Sequence, residues 1–249
     1  MIAARVPAWK IEWYLTLDST QLEAQRLASH GAPHRTVILA QEQTAGMGRL
    51  GRAWHSEAGA GLYLSLILRL NLPAAQLPAF TVALGLAVKK AIEQVTGLDG
   101  DLRWPNDVLV NDRKLCGILT QFIDNTVIAG IGINVSHQEF PPGIADTATS
   151  LRIEGAGTFS REDLFIALLN AVDDYAQRYA AGEREGILFE FAEKSSYAVG
   201  RRVRVEQGGR EIRGYTDGLD ENGFLYVRED DGTRVTILAG GVRPDAVSD

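Results

Sequence analysis

Gly46-Met47-Gly48-Arg49-Leu50-Gly51-Arg52-Ala53-Trp54 is the stretch on which the reading of this chain turns. Its glycines let backbone approach a ligand closely. Its arginines hold anions through a rigid donor fork, and its tryptophan offers a flat apolar face. A loop of this kind suits an anionic ligand with an aromatic base. The glycines spell G-x-G-x-x-G, but the flanks exclude a dinucleotide site. Thr36-Val37-Ile38-Leu39-Ala40 before the loop reads as a strand, and so does Gly61-Leu62-Tyr63-Leu64-Ser65-Leu66-Ile67-Leu68 after it. A dinucleotide fingerprint needs a helix there, so that the helix N-terminus meets the pyrophosphate. The P-loop pattern and the kinase D-F-G and H-R-D motifs are absent as well. A surface hairpin with solvated arginines, and a Trp54 that packs in the core, remain open at this level.

The rest of the chain narrows the class. Its 249 residues are 45% hydrophobic and 23% charged, an ordinary globular composition. The net charge of −7 argues against a protein whose main work is binding nucleic-acid backbone. The single cysteine, Cys116, excludes a disulfide framework and any multi-cysteine metal site, which fits a reducing, cytoplasmic setting. His30, His34, His55 and His137 show no recognisable metal-ligand spacing. No signal peptide opens the chain, and no unbroken apolar run reaches the roughly 18 residues of a membrane span.

Helical periodicity places a helix over 22–30, opened by a capping box of Thr20 with Glu23, and a longer one over Leu77 to Thr96, closed by Gly97. Short strands are expected at 102–104, 108–110, 115–122 and 127–135, with Asn111-Asp112 as a tight turn. Ser160 is placed to cap a helix running to about Ala181, and a shorter helix is expected over Ile187 to Lys194. Beyond Tyr197, alternating strands separated by Gly208-Gly209, Asn222-Gly223 and Asp231-Gly232 read as a small all-β barrel. The domain division expected is 1–197 and 198–249.

Further polar groups follow the loop. In Arg103-Trp104-Pro105-Asn106-Asp107 the proline holds Trp104 extended and forces a break between strands. Lys114 opens an apolar strand, as a solvated strand-end lysine or as a charge facing a pocket. Gly130-Ile131-Gly132-Ile133-Asn134 ends another strand on glycines, as a bulge or as a place where a ligand approaches.

In this order, G-x-G-R-x-G-R-x-W, R-W-P-N-D, D-R-K-L-x-G-I-L and G-I-G-I-N resemble the biotin–protein ligases. The likeness extends to Asp18-Ser19-Thr20, Gln43, Phe140-Pro141, Thr149-Ser150-Leu151 and the C-terminal barrel, nearly the whole chain. It implies an α/β (α+β) protein, with a mixed-sheet catalytic domain of the biotin/lipoate ligase type and a C-terminal SH3-like β-barrel. The activity implied joins biotin to ATP, giving biotinyl-5′-AMP, then transfers biotin to a lysine of a biotin carboxyl carrier protein domain. Mg2+ is the implied metal, with no dedicated protein ligands. Only 17 residues precede Asp18, so the form expected is one without a DNA-binding domain or repressor activity. Partners expected are biotin and the carrier domain, with neither DNA nor membrane, in a monomer or homodimer. The arginine-bearing loop and the barrel favour biotin over the lipoate of the related ligases.

The resemblance also assigns roles. Arg49 and Lys114 would neutralise the two anions that must meet, with Asp107 as the base or orienter for the incoming lysine. The biotin side would comprise Ser19, Thr20, Gln21, Gln43, Gly46, Met47, Gly48, Arg49, Lys114 and Gly117. The ATP side would comprise Arg49, Arg52, Trp54, Asn106, Asn134 and Arg243. Two positions depart from the pattern. Met47 stands where many members have arginine, and Arg103 where lysine is frequent. If that missing arginine helps retain biotinyl-AMP, this protein releases the intermediate more readily.

Overall fold

A computed structural model describes residues 2–245. Residues 246–249, the end of the expected barrel span, lie outside the described residues. Seven strands form a mixed sheet: β1 (Lys10–Leu17), β2 (Thr36–Gln43), β3 (Gly61–Leu68), β4 (Asp101–Arg103), β5 (Asp107–Val110), β6 (Arg113–Ile123) and β7 (Thr126–Asn134). Their order is β1-β2-β3-β7-β6-β5-β4, with β1 parallel to β2 and every other pair antiparallel. Alternation along β3 explains the layers. Leu62, Leu64, Leu66 and Leu68 join the large core with α2 (Leu77–Thr96) and α3 (Arg161–Ala180). Ile67 points to the opposite face, where Ala24 of α1 (Thr20–Ser29) packs on Ile38 and Ile128. Since α1 covers only part of that face, buried polar residues such as Ser65 are left to line a slot beside it.

Three details differ from the sequence reading. Strand β1 carries no clean apolar alternation that would mark it in the sequence; it is an edge strand with Trp13 and Leu15 exposed. The N-cap lies one residue earlier than expected, and the capping box does not form. Ser19 is the N-cap and accepts from the Gln21 backbone N–H, while the Thr20 hydroxyl is drawn across to Gln43 on β2. Glu23 pairs with Arg26 instead. Third, α2 with its preceding turn is apolar and long enough to cross a membrane by composition, although its charged Lys89 and Lys90 break the run. Its apolar window is 72% buried against the rest of the protein, as befits a core helix.

Asn111 and Asp112 both take positive φ, the geometry a tight β-hairpin turn demands. Helix α4 (Arg184–Lys194) leads to a second, antiparallel sheet of β8 (Val199–Gln207), β9 (Arg210–Leu219), β10 (Leu225–Glu229), β11 (Arg234–Ile237) and β12 (Arg243–Pro244). This SH3-like unit sits on the larger one. Trp104, 2% exposed, donates its indole N–H to the Gly223 carbonyl at 2.8 Å. Gly223 has φ +85°, and a β-carbon there would lie 2.6 Å from Ala79 backbone, so only glycine allows this approach to α2.

Candidate functional site

The glycine loop folds as a hairpin. Met47 and Ala53 form an isolated bridge, the Gly48 N–H donates to the Arg52 carbonyl, and the Trp54 N–H donates to the Gly46 carbonyl. A β-carbon on Gly46 would fall 2.7 Å from the Trp54 carbonyl oxygen, so Gly46 is what lets the hairpin close. Closure aims Trp54 at the sheet. Gly117 on β6 and Gly132 on β7 are directly paired, leaving a gap in the wall of side chains. The indole fills it; β-carbons at these glycines would stand 2.8 and 2.5 Å from the ring. Trp54 is therefore a partition rather than a deep core residue, and its buried Nε1 has no hydrogen-bond partner among the described residues.

On one side of this partition lies an inner slot of about 40 Å3, lined by Ser19, Thr20, Gln21, Gln43, Ser65, Met47, Gly48, Lys114 and Gly117 among others. Its polar groups are already engaged. Gln43 Oε1 accepts from both the N–H and the hydroxyl of Thr20 (2.8 and 3.1 Å), and its amide donates to Ser56 at 2.9 Å. Ser65 pairs with the Thr20 hydroxyl at 2.9 Å and donates to Gln21 Oε1 at 3.1 Å. The Gln21 amide reaches Gln121 at 2.8 Å. Ser65 is the member sequence reasoning missed. Its signal was a lone serine inside an otherwise apolar strand, at a position where burial demands a partner.

Beyond the partition lies an outer cavity of about 690 Å3. Arg52, Trp54, Asn106, Asn134 and Arg243 all border it, together with Asp146, Phe140 and backbone near Gly240 of the small sheet. Arg52 and Arg243 are exposed. Asn134 is 3% exposed and its amide donates to the Thr149 carbonyl at 2.9 Å, so this group ties β7 to the following chain.

Five residues border both compartments: Gly48, Arg49, Trp54, Asn106 and Lys114. Arg49 Nη1 donates to Asn106 Oδ1 at 2.9 Å and to the Gly240 carbonyl at 3.4 Å, which aims the guanidinium and joins the two sheets. Asn106 is itself held by donating to the Ile118 carbonyl at 2.9 Å. Burial lowers the Arg49 pKa, Asp107 opposing, but an arginine remains charged. Lys114 Nζ stands 2.5 Å from Asp107 Oδ1 and 5.4 Å from the Trp54 ring centre. This ion pair holds Asp107 Oδ1 chiefly by charge. Arg103 donates to Asp107 Oδ2 at 2.7 Å. Burial alone would raise the Asp107 carboxyl, but Lys114 and Arg103 outweigh it and hold the group below the usual carboxylate range. A carboxylate so stabilised is a weak proton acceptor.

Two compartments thus lie on either side of an aromatic partition, with two cations, Arg49 and Lys114, on the shared wall. Residues 14–137 match the Biotin/lipoate A/B protein ligase family, and residues 198–242 match the Biotin protein ligase C terminal domain. The Bacillus subtilis bifunctional ligase/repressor BirA is 35% identical over 227 residues, covering 88% of this chain and 69% of the relative. The biotin–[acetyl-CoA-carboxylase] ligase of Paracoccus denitrificans is 32% identical, covering 88% of this chain and 94% of its own. A biotin protein ligase from Aquifex aeolicus, solved with biotin and ATP, superposes with a TM-score of 0.82 at 30% identity, covering 94% of this chain and 97% of that one. The chain belongs to the biotin protein ligase family.

Proposed function

We propose that this protein activates biotin with ATP, releasing pyrophosphate, and transfers biotin from biotinyl-5′-AMP to a lysine of a biotin carboxyl carrier protein domain. The observation that carries the reading is the shared wall: Arg49 and Lys114 border the slot and the cavity at once. In this reading biotin occupies the inner slot, its ureido ring met by Thr20, Gln43, Ser65 and Gln21. Its carboxylate faces the wall. ATP occupies the outer cavity, with Arg52 and Arg243 toward its phosphates and Trp54 against its base. The carboxylate oxygen attacks the α-phosphorus and the bond to the pyrophosphate oxygen breaks. Both reactants are anions, so fixed positive charge on the wall lowers the barrier. Asp107 holds Lys114 in place before ligands arrive. The slot is narrow and its polar groups are bonded to one another, so in this reading Trp54 and its loop adjust on binding. The expected division into a catalytic unit over 1–197 and a barrel from 198 belongs to this proposal.

The cavity's oxygen donors, Asp146 and Asn134, are hard ligands of the kind Mg2+ accepts beside phosphate oxygens. When bound, Mg2+ would screen the charge of the leaving pyrophosphate. The net charge of −7 supports a ligase that does not also bind operator DNA. The test is pyrophosphate release from ATP, dependent on biotin and not on lipoate, followed by the mass increase of a carrier domain. Lys114→Ala serves as the control. Release driven by lipoate, or no carrier modification, would overturn the reading.

A further inference from the structure

At the far end of the glycine loop, where His55 also borders the outer cavity, His55 and Glu57 face His137, which follows β7. One ring nitrogen from each histidine and a Glu57 carboxylate oxygen lie within 4.8 Å of one another. We propose that His55, Glu57 and His137 bind a divalent metal ion of the Zn2+ class, which ties the loop to the chain following β7. This site does not depend on the ligase reading.

The argument starts at His137, which is 1% exposed. A β-carbon at Gly61 would lie 2.3 Å from the Tyr63 ring, so the glycine lets that ring fold back toward the histidine. The Tyr63 hydroxyl donates to the Glu57 carbonyl at 3.0 Å. The Tyr63 oxygen can then only accept from His137 Nε2, 3.2 Å away. Nε2 therefore carries the ring proton, and the lone pair sits on Nδ1. Nδ1 is buried and has no partner among the described residues. A neutral imidazole whose other nitrogen donates to an oxygen is the usual state of a histidine that ligates a metal. An orphaned buried nitrogen is uncommon otherwise.

The other two groups complete the set. Phe140 stacks on the His137 ring at 5.0 Å, fixing its plane, and the His55 and His137 ring centres are 5.6 Å apart. His55 Nε2 lies 4.0 Å from Glu57 Oε2, with side chains 34% and 57% exposed. These two can rotate while the buried histidine stays put. Tetrahedral Zn2+ at about 2.1 Å from each ligand needs them about 3.4 Å apart. Small rotations of His55 and Glu57 would close the gap, leaving a fourth position for water. Two imidazoles and one carboxylate select zinc-like ions over Mg2+, which prefers oxygen throughout.

The test uses the full chain without a polyhistidine tag, stripped by chelator and titrated with Zn2+ in a calorimeter. One equivalent is expected to bind, and excess Mg2+ should not displace it. Co2+ in its place should give the visible absorption of a tetrahedral site. His55→Ala, at a half-exposed position with little risk to folding, should weaken binding at least about 100-fold. Tyr63→Phe, which removes the acceptor for His137 Nε2, should weaken it about 10- to 100-fold. Absence of one-equivalent binding by the unaltered chain would refute the site, and so would His55→Ala and Glu57→Gln variants that bind as tightly as it does.

Discussion

The inner slot and the outer cavity share a wall but are built by opposite means. The slot is narrow, and its neutral groups are bonded to one another before any ligand arrives: Thr20 to Gln43 and Ser65, Ser65 to Gln21, Gln43 to Ser56. The cavity is wide and charged, with exposed Arg52 and Arg243 at its border. A closed polar network in low dielectric penalises any ligand that leaves one of its groups unpaired. Exposed arginines attract any polyanion and discriminate little. On the proposed reading, this contrast gives choice of ligand to the slot and charge neutralisation to the cavity and the wall it shares.

The strongest way to break this contrast is at the wall. Lys114→Ala should lower biotin-dependent pyrophosphate release about 10²- to 10³-fold, and unchanged turnover would remove Lys114 from the reaction. Next comes Asp107→Asn, which leaves Lys114 and Arg103 without their counter-ion and should cost about 3 kcal/mol in urea unfolding. The sign with pH follows from the depressed Asp107 pKa. Its contribution is complete above the unfolded carboxylate value near ~4, and is lost as pH falls through the lower folded value. The variant's stability should therefore fall less steeply in acid; parallel curves would count against the pairing.

Smaller effects sharpen the comparison. Gly132→Ala places a β-carbon 2.5 Å from the Trp54 indole and displaces the partition. About 2 kcal/mol of overpacking is expected, with KM rising for ATP and biotin together. A rise for one substrate only would show that Trp54 serves a single compartment. Thr20→Val removes the hydroxyl shared by Gln43 and Ser65, and should weaken biotin binding about 10-fold while leaving ATP binding alone. The smallest change is Met47→Arg, which adds charge to the slot border and should slow dissociation of biotinyl-AMP. Equal rates in both proteins would end the idea that Met47 loosens retention.

Much of this molecule was legible from one dimension. Helical and strand periodicity located α2, α3, β3 and β7 nearly to the residue, because those elements bury continuous apolar faces. Glycine and arginine spacing marked the loop, and the ordered motifs marked the family. Strand β1 escaped, since its pairing with β2 leaves it mostly exposed and imposes little pattern. Partnerships escaped too. Nothing local says that Ser65 completes the network of Thr20, that Asn106 aims Arg49, or that Gly117 and Gly132 pair to admit Trp54. The same holds for His55 and His137, which are far apart in the chain and whose ring centres are 5.6 Å apart in the fold. Sequence determines what is set by a residue's own chemistry and its near neighbours: periodicity, turn geometry and the supply of charge. Tertiary structure decides which distant groups share a compartment, because only folding sets the register between strands and the direction in which each buried polar group finds its partner.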